Sequence, residues 1–275
     1  MTTPPSPARE RVDMLVVTRG LAPSRERAQA IIMAGQIRVN GQIASKPGMR
    51  VPGDASIELV APPPELRYVS RGGLKLEHAL DTLHLDPAGL SALDIGASTG
   101  GFTDVMLRRG ADRIFAIDVG QGQLAWSLRS DPRVVVMERT NIRDVDHLPD
   151  NTLADCAVID VSFISLRLVL PHVVRLLSEG AWIVALIKPQ FEAGKREADR
   201  GSGVIRDPAV HRRVLDDLLR DIATNLPHLT SHDLIASPIT GRDGNHEYLL
   251  WLDYATNEPV KRIDIEGVVR GSLTP

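Results

Sequence analysis

Apolar positions first recur at helical spacing. In "ARERVDMLVVTRGL" Val12, Leu15 and Val16 fall on one face, and Gly20 is a stop. "PSRERAQAIIMAG" repeats the pattern with Ala28, Ile31 and Ile32 inward, Ser24 as its cap and Gly35 at its end. The period then drops to two in "QIRVNGQIA", whose Asn40-Gly41 pair predicts a tight hairpin, and "GDASIELV" reads as a further strand. Residues 1–60 are thus predicted to form a small α+β unit. Consecutive prolines in "APPPE" predict an extended, semi-rigid spacer over 61–67 and place the domain boundary there.

From residue 68 to the end, helical and strand patterns alternate as in a doubly wound parallel sheet. "RGGLKLEHALDTL" is amphipathic, with Leu76, Ala79, Leu80 and Leu83 in one stripe. Strands are predicted at "SALDIG", "RIFAIDVG", "VVVMERTN", "DCAVIDVSF" and "AWIVALIKP". Helices fall at "FTDVMLRRG", through Trp126, at "LRLVLPHVVRLL" and from Pro208 to about Thr224. "SHDLIASPITG" and "HEYLLWLDY" complete seven strands with a terminal hairpin. That count fits a Rossmann-like, seven-stranded methyltransferase sheet better than a six-stranded nicotinamide-binding one.

Composition changes this picture little. With 43% hydrophobic and 24% charged residues the chain is an ordinary globular one. Its longest apolar runs, such as "WIVALI", fall far short of the ~20 residues that span a bilayer. No apolar stretch near the start suggests a signal peptide, and the single cysteine, Cys156, suits a reducing compartment, so a cytoplasmic protein is expected. Cys156 itself reads as a core residue. The histidines form no metal-ligand set; His228 and His232, at helical spacing, read as surface residues, and no metal is expected. Net charge is −3, yet the first 60 residues carry eight basic against five acidic side chains. A basic module on an acidic body suggests a binding attachment on an enzyme.

The stretch "ALDIGASTGGF" joins an apolar strand to a helix. Gly96 permits the turn, and Ala97, Ser98, Thr99, Gly100, Gly101 and Phe102 lead into a helix whose amino end favours a ligand's approach. Asp118, ending the next strand, can accept both hydroxyls of a ribose. Dinucleotides and methyl donors both use such an acid. A dinucleotide pyrophosphate usually needs glycine where Ser98 stands, whereas Asp94 suits an amino-acid moiety such as that of S-adenosylmethionine. Asn141, after the third strand, is placed to meet adenine.

Four further polar residues stand where a plain core would not want them. Lys75 lies beside an apolar helical stripe, Asp160 ends "CAVID", Lys188 ends "WIVALIK", and Glu247 begins "EYLLWL". Strand carboxyl ends open onto the ligand crevice of a doubly wound sheet, so Asp160 and Lys188 are expected to converge there.

Two resemblances follow from these residues. The two amino-terminal helices and "AGQIRVNGQIASKPGMRV" resemble the small RNA-binding domain shared by a ribosomal small-subunit protein, pseudouridine synthases and tyrosyl-tRNA synthetases. The resemblance implies RNA contacts from Arg11, Ser24, Arg25, Arg27, Lys46 and Arg50. The Lys75, Asp160, Lys188 and Glu247 set resembles that of FtsJ/RrmJ-type ribose 2′-O-methyltransferases. More closely, "VSRGGLKLEHAL", "ALDIGASTGGFTDVMLRRGA", "VIDVSFISLRLVLP" and "LIKPQFEAGK" resemble the TlyA (hemolysin A-like) rRNA methyltransferases over almost the whole chain. That family implies S-adenosylmethionine as methyl donor, cytidines of large-subunit and, with the full amino-terminal helix, small-subunit rRNA as targets, and ribosomal subunits as partners. Arg71, in "VSRGG", and Lys195, Arg196, Arg200 and Arg206, after Lys188, are placed to meet RNA phosphates. One departure is Tyr68, where relatives often carry tryptophan just before this motif. The alternatives are a membrane-lysing protein, for which the chain offers no apolar span, and an RNA-binding module with an inactive catalytic domain. Oligomeric state is not legible.

Overall fold

Two groups of contacts divide the computed structural model, one over Met1–Arg71 and one over Gly72–Pro275. It describes residues 9–60, 67–194, 203–241, 243–255 and 262–273. The proline-rich stretch 61–66, and with it nearly all of the expected spacer, lies outside the described residues.

In the first unit, strand β1 (Arg9–Arg11) runs directly into helix α1 (Val12–Thr18), and helix α2 (Arg25–Met33) follows. The expected single helix from Ala8 onward therefore begins late. Its first turn is drawn out because Arg9 to Arg11 pair antiparallel with strand β4 (Arg50–Pro52), which the residue pattern did not reveal. Ser24 caps α2 by accepting the Arg27 N–H at 3.2 Å. The hairpin of β2 (Ile37–Val39) and β3 (Gln42–Ile43) turns on Asn40 and Gly41, both at positive φ as a two-residue turn of this type demands. Strand β5 (Ile57–Leu59) pairs with β2 on its other side. The core is small: Val12, Leu15 and Val16 pack with Ala28, Ile31, Ile32, Ile37 and Val39.

One charge is built into that core. Asp13 on α1 is fully buried and takes two hydrogen bonds from Arg11 (2.9 and 2.8 Å) and one each from Arg25 and Gln29 (both 3.0 Å). These donors, Arg11 foremost, outweigh burial and hold the carboxyl well below the usual carboxylate range.

The second unit is a seven-stranded sheet in the order β11-β12-β10-β9-β6-β7-β8. Its strands are β6 (Ser91–Ile95), β7 (Arg113–Asp118), β8 (Val134–Glu138), β9 (Ala154–Ile159), β10 (Leu177–Ile187), β11 (Leu229–Ala236) and β12 (Tyr248–Tyr254). β12 runs antiparallel to both its neighbours, and the other pairings are parallel. The central strands are apolar on both faces, as helix-covered parallel strands must be. Helix α3 (Gly73–Leu83) buries its predicted stripe, and α4 (Gly101–Arg108), α5 (Trp126–Arg129), α6 (Leu166–Val173), α7 (Pro189–Glu192), α8 (Pro208–Asn225) and α9 (Ile265–Leu273) follow. α9 escaped the sequence reading; it buries only Val269, so its apolar signal is short.

Two expectations from individual residues resolve differently. Cys156 is fully buried, and burial pushes its thiol pKa up, as for a core residue. His232 is not a surface residue. It occupies a register shift between Ser231 and Asp233, stacks on Trp251 at 4.7 Å and lies 2.9 Å from Asp253. The bulge turns inward a side chain that its Pro-containing, loop-like surroundings had suggested was on the surface.

Asp13→Asn is expected to destabilise the first unit by about 2 kcal/mol, because an amide N–H would face a guanidinium donor where a carboxylate oxygen now accepts. In the parent chain the depressed carboxyl pKa works in the acidic range: its stabilisation is complete above the ordinary pKa near 4 and is lost as pH falls below it. Thermal unfolding of both proteins between pH 2.5 and 7 checks this; parallel curves across that range would contradict it.

Candidate active site

Strand register brings the site together. Ile95 lies opposite Ile159, and Ile159 opposite Ala185, so the carboxyl ends of β6, β9 and β10 finish at one edge. Ile187 pairs with Tyr248 across the antiparallel junction, which sets Lys188 beside Glu247 at that same edge. Gly96, just past β6, has φ +85°, and a Cβ there would lie 2.4 Å from the Asp160 carbonyl oxygen. No other residue fits between these two strand ends.

The turn after β6 is braced by its own backbone donors. Gly96 N–H and Ala97 N–H point to the Ile117 carbonyl, Gly100 N–H to that of Ala97, and Ser98 takes the left-handed conformation with φ 49°. Gly100, at φ +95°, has Leu124 and Leu128 against it. Ser98 and Thr99 are exposed, whereas Gly100, Gly101 and Phe102, at the start of α4, are buried. Asp118 stands opposite. Its Oδ2 accepts the Ser98 N–H at 2.7 Å and its Oδ1 the Gly120 N–H at 2.6 Å. Both oxygens are thereby oriented, each with a lone pair left for a ligand. An open hollow lies against Ala97, Ser98, Asp118, Gly120, Gln123 and Glu138, among others. Asn141 caps a short 3₁₀ turn, its Oδ1 accepting from Arg143 N–H at 3.1 Å, which leaves its amide N–H groups to point elsewhere.

Asp94 lies beneath the turn with no exposed surface. Thr103 donates to Oδ2 at 2.5 Å, but Oδ1 has no partner among the described residues. Burial, with added repulsion from Asp160 and Asp118, pushes its pKa up to about 7 against the help of Thr103.

The four residues singled out for chemistry form two ion pairs. Lys75 Nζ lies 2.5 Å from Glu247 Oε2, both almost wholly buried. Lys188 Nζ lies 2.7 Å from Asp160 Oδ1 and donates to Ser162 Oγ at 2.8 Å. The Lys188–Asp160 contact is a charge contact, and Asp160 Oδ1 has no well-aligned hydrogen-bond donor among the described residues. Glu247 is hemmed by Gly241, where a Cβ would meet its Oε1 at 2.6 Å.

Several residues of the site escaped the sequence reading. Ser162 sits inside a run taken as strand. Phe163 is 90% exposed at φ 64°, a strained conformation for an aromatic residue, and its ring lies 5.0 Å from that of Phe191. Asn245 is buried and holds Ile205 N–H and the Gly203 carbonyl (3.0 and 2.8 Å), fastening that segment two residues before Glu247. The run "GNHE", polar ahead of an apolar strand, was the available signal.

The residues expected to meet RNA divide. Arg27 and Lys46 are exposed and form no ion pair among the described residues, whereas Arg11 and Arg25 are held by Asp13. Ser24 is occupied as a cap, Arg50 braces Arg9 across β1 and β4, and Arg71 is exposed. Arg206 is exposed next to the anchored Ile205; Lys195, Arg196 and Arg200 lie outside the described residues.

Comparison with known proteins agrees with this layout. Residues 68–254 match the FtsJ-like methyltransferase family and residues 10–57 the S4 domain. A Mycobacterium tuberculosis protein named 16S/23S rRNA (cytidine-2′-O)-methyltransferase TlyA is 44% identical over 97% of this chain and 98% of its own length. Hemolysin A of Brachyspira hyodysenteriae is 38% identical over 87% of this chain and 98% of its own. A solved structure from Streptococcus thermophilus, assigned as a hemolysin, superposes with a TM-score of 0.71 at 41% identity, covering 98% of this chain and 96% of that one.

Asp94 makes a testable demand on pH. Its folded pKa lies above the ordinary carboxyl value, so between about pH 4 and 7 the folded chain holds a proton that the unfolded chain has lost. Stability of the ligand-free protein should therefore fall as pH rises through that window. Asp94→Asn, neutral throughout, is expected to flatten the fall; an unchanged pH profile in a folded Asn variant would contradict the assignment.

Proposed function

The chain belongs to the TlyA-type branch of the FtsJ-like methyltransferases, and on that premise we propose that it transfers a methyl group from S-adenosylmethionine to the ribose 2′-oxygen of cytidines in rRNA. The observation that carries this reading is the two ion pairs, the buried Lys75–Glu247 and the half-buried Lys188–Asp160, at the strand edge beside the Gly96 turn. The donor's fit rests on the chain's own groups. Asp118 presents two oriented oxygens suited to a ribose diol, the unpartnered Asp94 Oδ1 suits an ammonium group, and Asn141 retains donors for adenine. When bound, the donor supplies a methyl group on a positively charged sulfur, which is electrophilic without help from a metal.

The protein's own task is the other half of the reaction. A ribose hydroxyl is a poor nucleophile at neutral pH, so its proton must leave as the new carbon–oxygen bond forms. In its neutral form Lys188 is the proton acceptor, oriented by Asp160 and Ser162, so the ion-paired ammonium gives up a proton before it takes that of the hydroxyl. Lys75 and Glu247 form the adjoining buried pair that fixes the acceptor side of the site. Holding oxygen and methyl in line contributes much of the acceleration. Phe163, exposed beside this centre, offers a face on which an unstacked base can rest. The first unit grips structured rRNA through its free cations, with Arg27 and Lys46 foremost. No helix among the described residues is long and apolar enough to cross a membrane.

Two cations at one position separate the possible roles of Lys188. Arginine keeps a positive charge but cannot give up a proton at working pH. Lys188→Arg is expected to be nearly as inactive as Lys188→Ala in single-turnover methylation, with donor binding retained in both. Near-normal turnover in the arginine variant would remove Lys188 as the base. For RNA, Arg27→Ala is expected to lower the salt slope of rRNA affinity by about one phosphate contact while leaving donor affinity alone; an unaltered slope would show that α2 does not grip RNA through this residue.

A further inference from the structure

Two loops meet at the methyl-transfer edge, residues 160–166 after β9 and 188–192 after β10, and they are fastened at successive points along their length. Lys188 contacts Asp160 and Ser162 at one end. Phe191 packs on Phe163 in the middle. At the other end Glu192 closes the seam: Ser165 Oγ donates to its Oε2 at 2.5 Å and Leu166 N–H to its Oε1 at 2.7 Å. Ser165 in turn accepts the Arg167 N–H, so Glu192 and Ser165 together cap the amino end of α6.

Lys188 and Glu192 are the two ends of one helical turn. Phe191 N–H bonds the Lys188 carbonyl and Ala193 N–H that of Pro189, so a shift at one end moves the other. Burying a carboxylate is costly, and burial does raise the Glu192 pKa. A helix start alone asks for no more than the Ser165 cap. The second anchor, on a neighbouring strand's loop, adds something a cap does not: it sets where the Lys188 turn sits relative to Asp160.

We propose that Glu192 is a positioning residue for methyl transfer, holding the Lys188 turn in register with the Asp160 loop before RNA binds. This rests on the reading of Lys188 as the proton acceptor. Glu192 touches no reacting atom in this scheme. Its effect should therefore appear in turnover and not in binding, and a side chain that keeps both contacts should restore it.

The test uses the full-length chain with saturating donor and rRNA. Glu192→Ala is expected to lower the single-turnover rate at least tenfold, with donor and RNA dissociation constants within twofold of the parent. Glu192→Gln keeps an acceptor for Leu166 N–H and a hydrogen-bonding group for Ser165, and is expected to recover most of the loss. Ser165→Ala, which removes the contact to Glu192 and the cap on the Arg167 N–H but leaves the core untouched, is expected to slow the step several-fold and serves if the Glu192→Ala protein does not fold. A Ser165→Ala rate equal to the parent's, a Glu192→Ala rate within twofold of it, or a loss confined to donor affinity would each overturn the proposal. Lys188→Ala is run alongside. If it stays active, the reading of Lys188 has failed; if it is inactive while the Glu192 and Ser165 variants are normal, only the positioning role has.

Discussion

The close approach of Gly96 to Asp160 is the contact on which the second unit's chemistry depends. Asp160 N–H bonds the Ile95 carbonyl, and the Asp160 carbonyl fills the space a side chain at position 96 would need. This seals the carboxyl ends of β6 and β9 together. The proposed donor cradle on one strand and the acid of the proposed reactive pair on the next are thus a single rigid edge. β10 and β12 extend the edge in register, bringing Lys188 and Glu247 to it.

The two units treat a buried carboxylate in opposite ways. Asp13 has donors for both oxygens and stays ionised, so its charge is spent on architecture and holds Arg11 and Arg25 in place. Asp94 has a donor for one oxygen only, and its pKa climbs to about 7. A half-satisfied acid is a poor structural element and a good receptor for a cation. The contrast places stability in the S4 unit and unspent electrostatic potential at the proposed donor site.

Much of this was legible in the residues because local signals and tertiary demands agreed. Asn40-Gly41, the Leu76 to Leu83 stripe and the β6 turn each state their own geometry. Strand-ending charges at Asp160 and Lys188 were visible because an apolar run stopped at an ionisable residue. What stayed hidden depended on partners distant in sequence. Arg9 to Arg11 looked helical until β4 claimed them. His232 looked solvated until a bulge turned it onto Trp251. Arg11 and Arg25 looked like free RNA contacts, and only their shared hold on Asp13 shows them to be partly structural. Glu192 looked like one acid in a polar run, since its meaning lies in Ser165 and Leu166 on another loop.

The central claim is that this edge methylates a ribose oxygen of cytidine, and the chemical identity of the product decides it. Ribosomal subunits from cells lacking the protein would be incubated with the purified chain and isotope-labelled S-adenosylmethionine, and their rRNA digested to nucleosides and analysed by mass spectrometry. The account requires the label in 2′-O-methylcytidine, and requires its loss when Lys188 is replaced by alanine. Label in a base-methylated nucleoside, or none in any rRNA nucleoside with a folded, donor-binding protein, would contradict it.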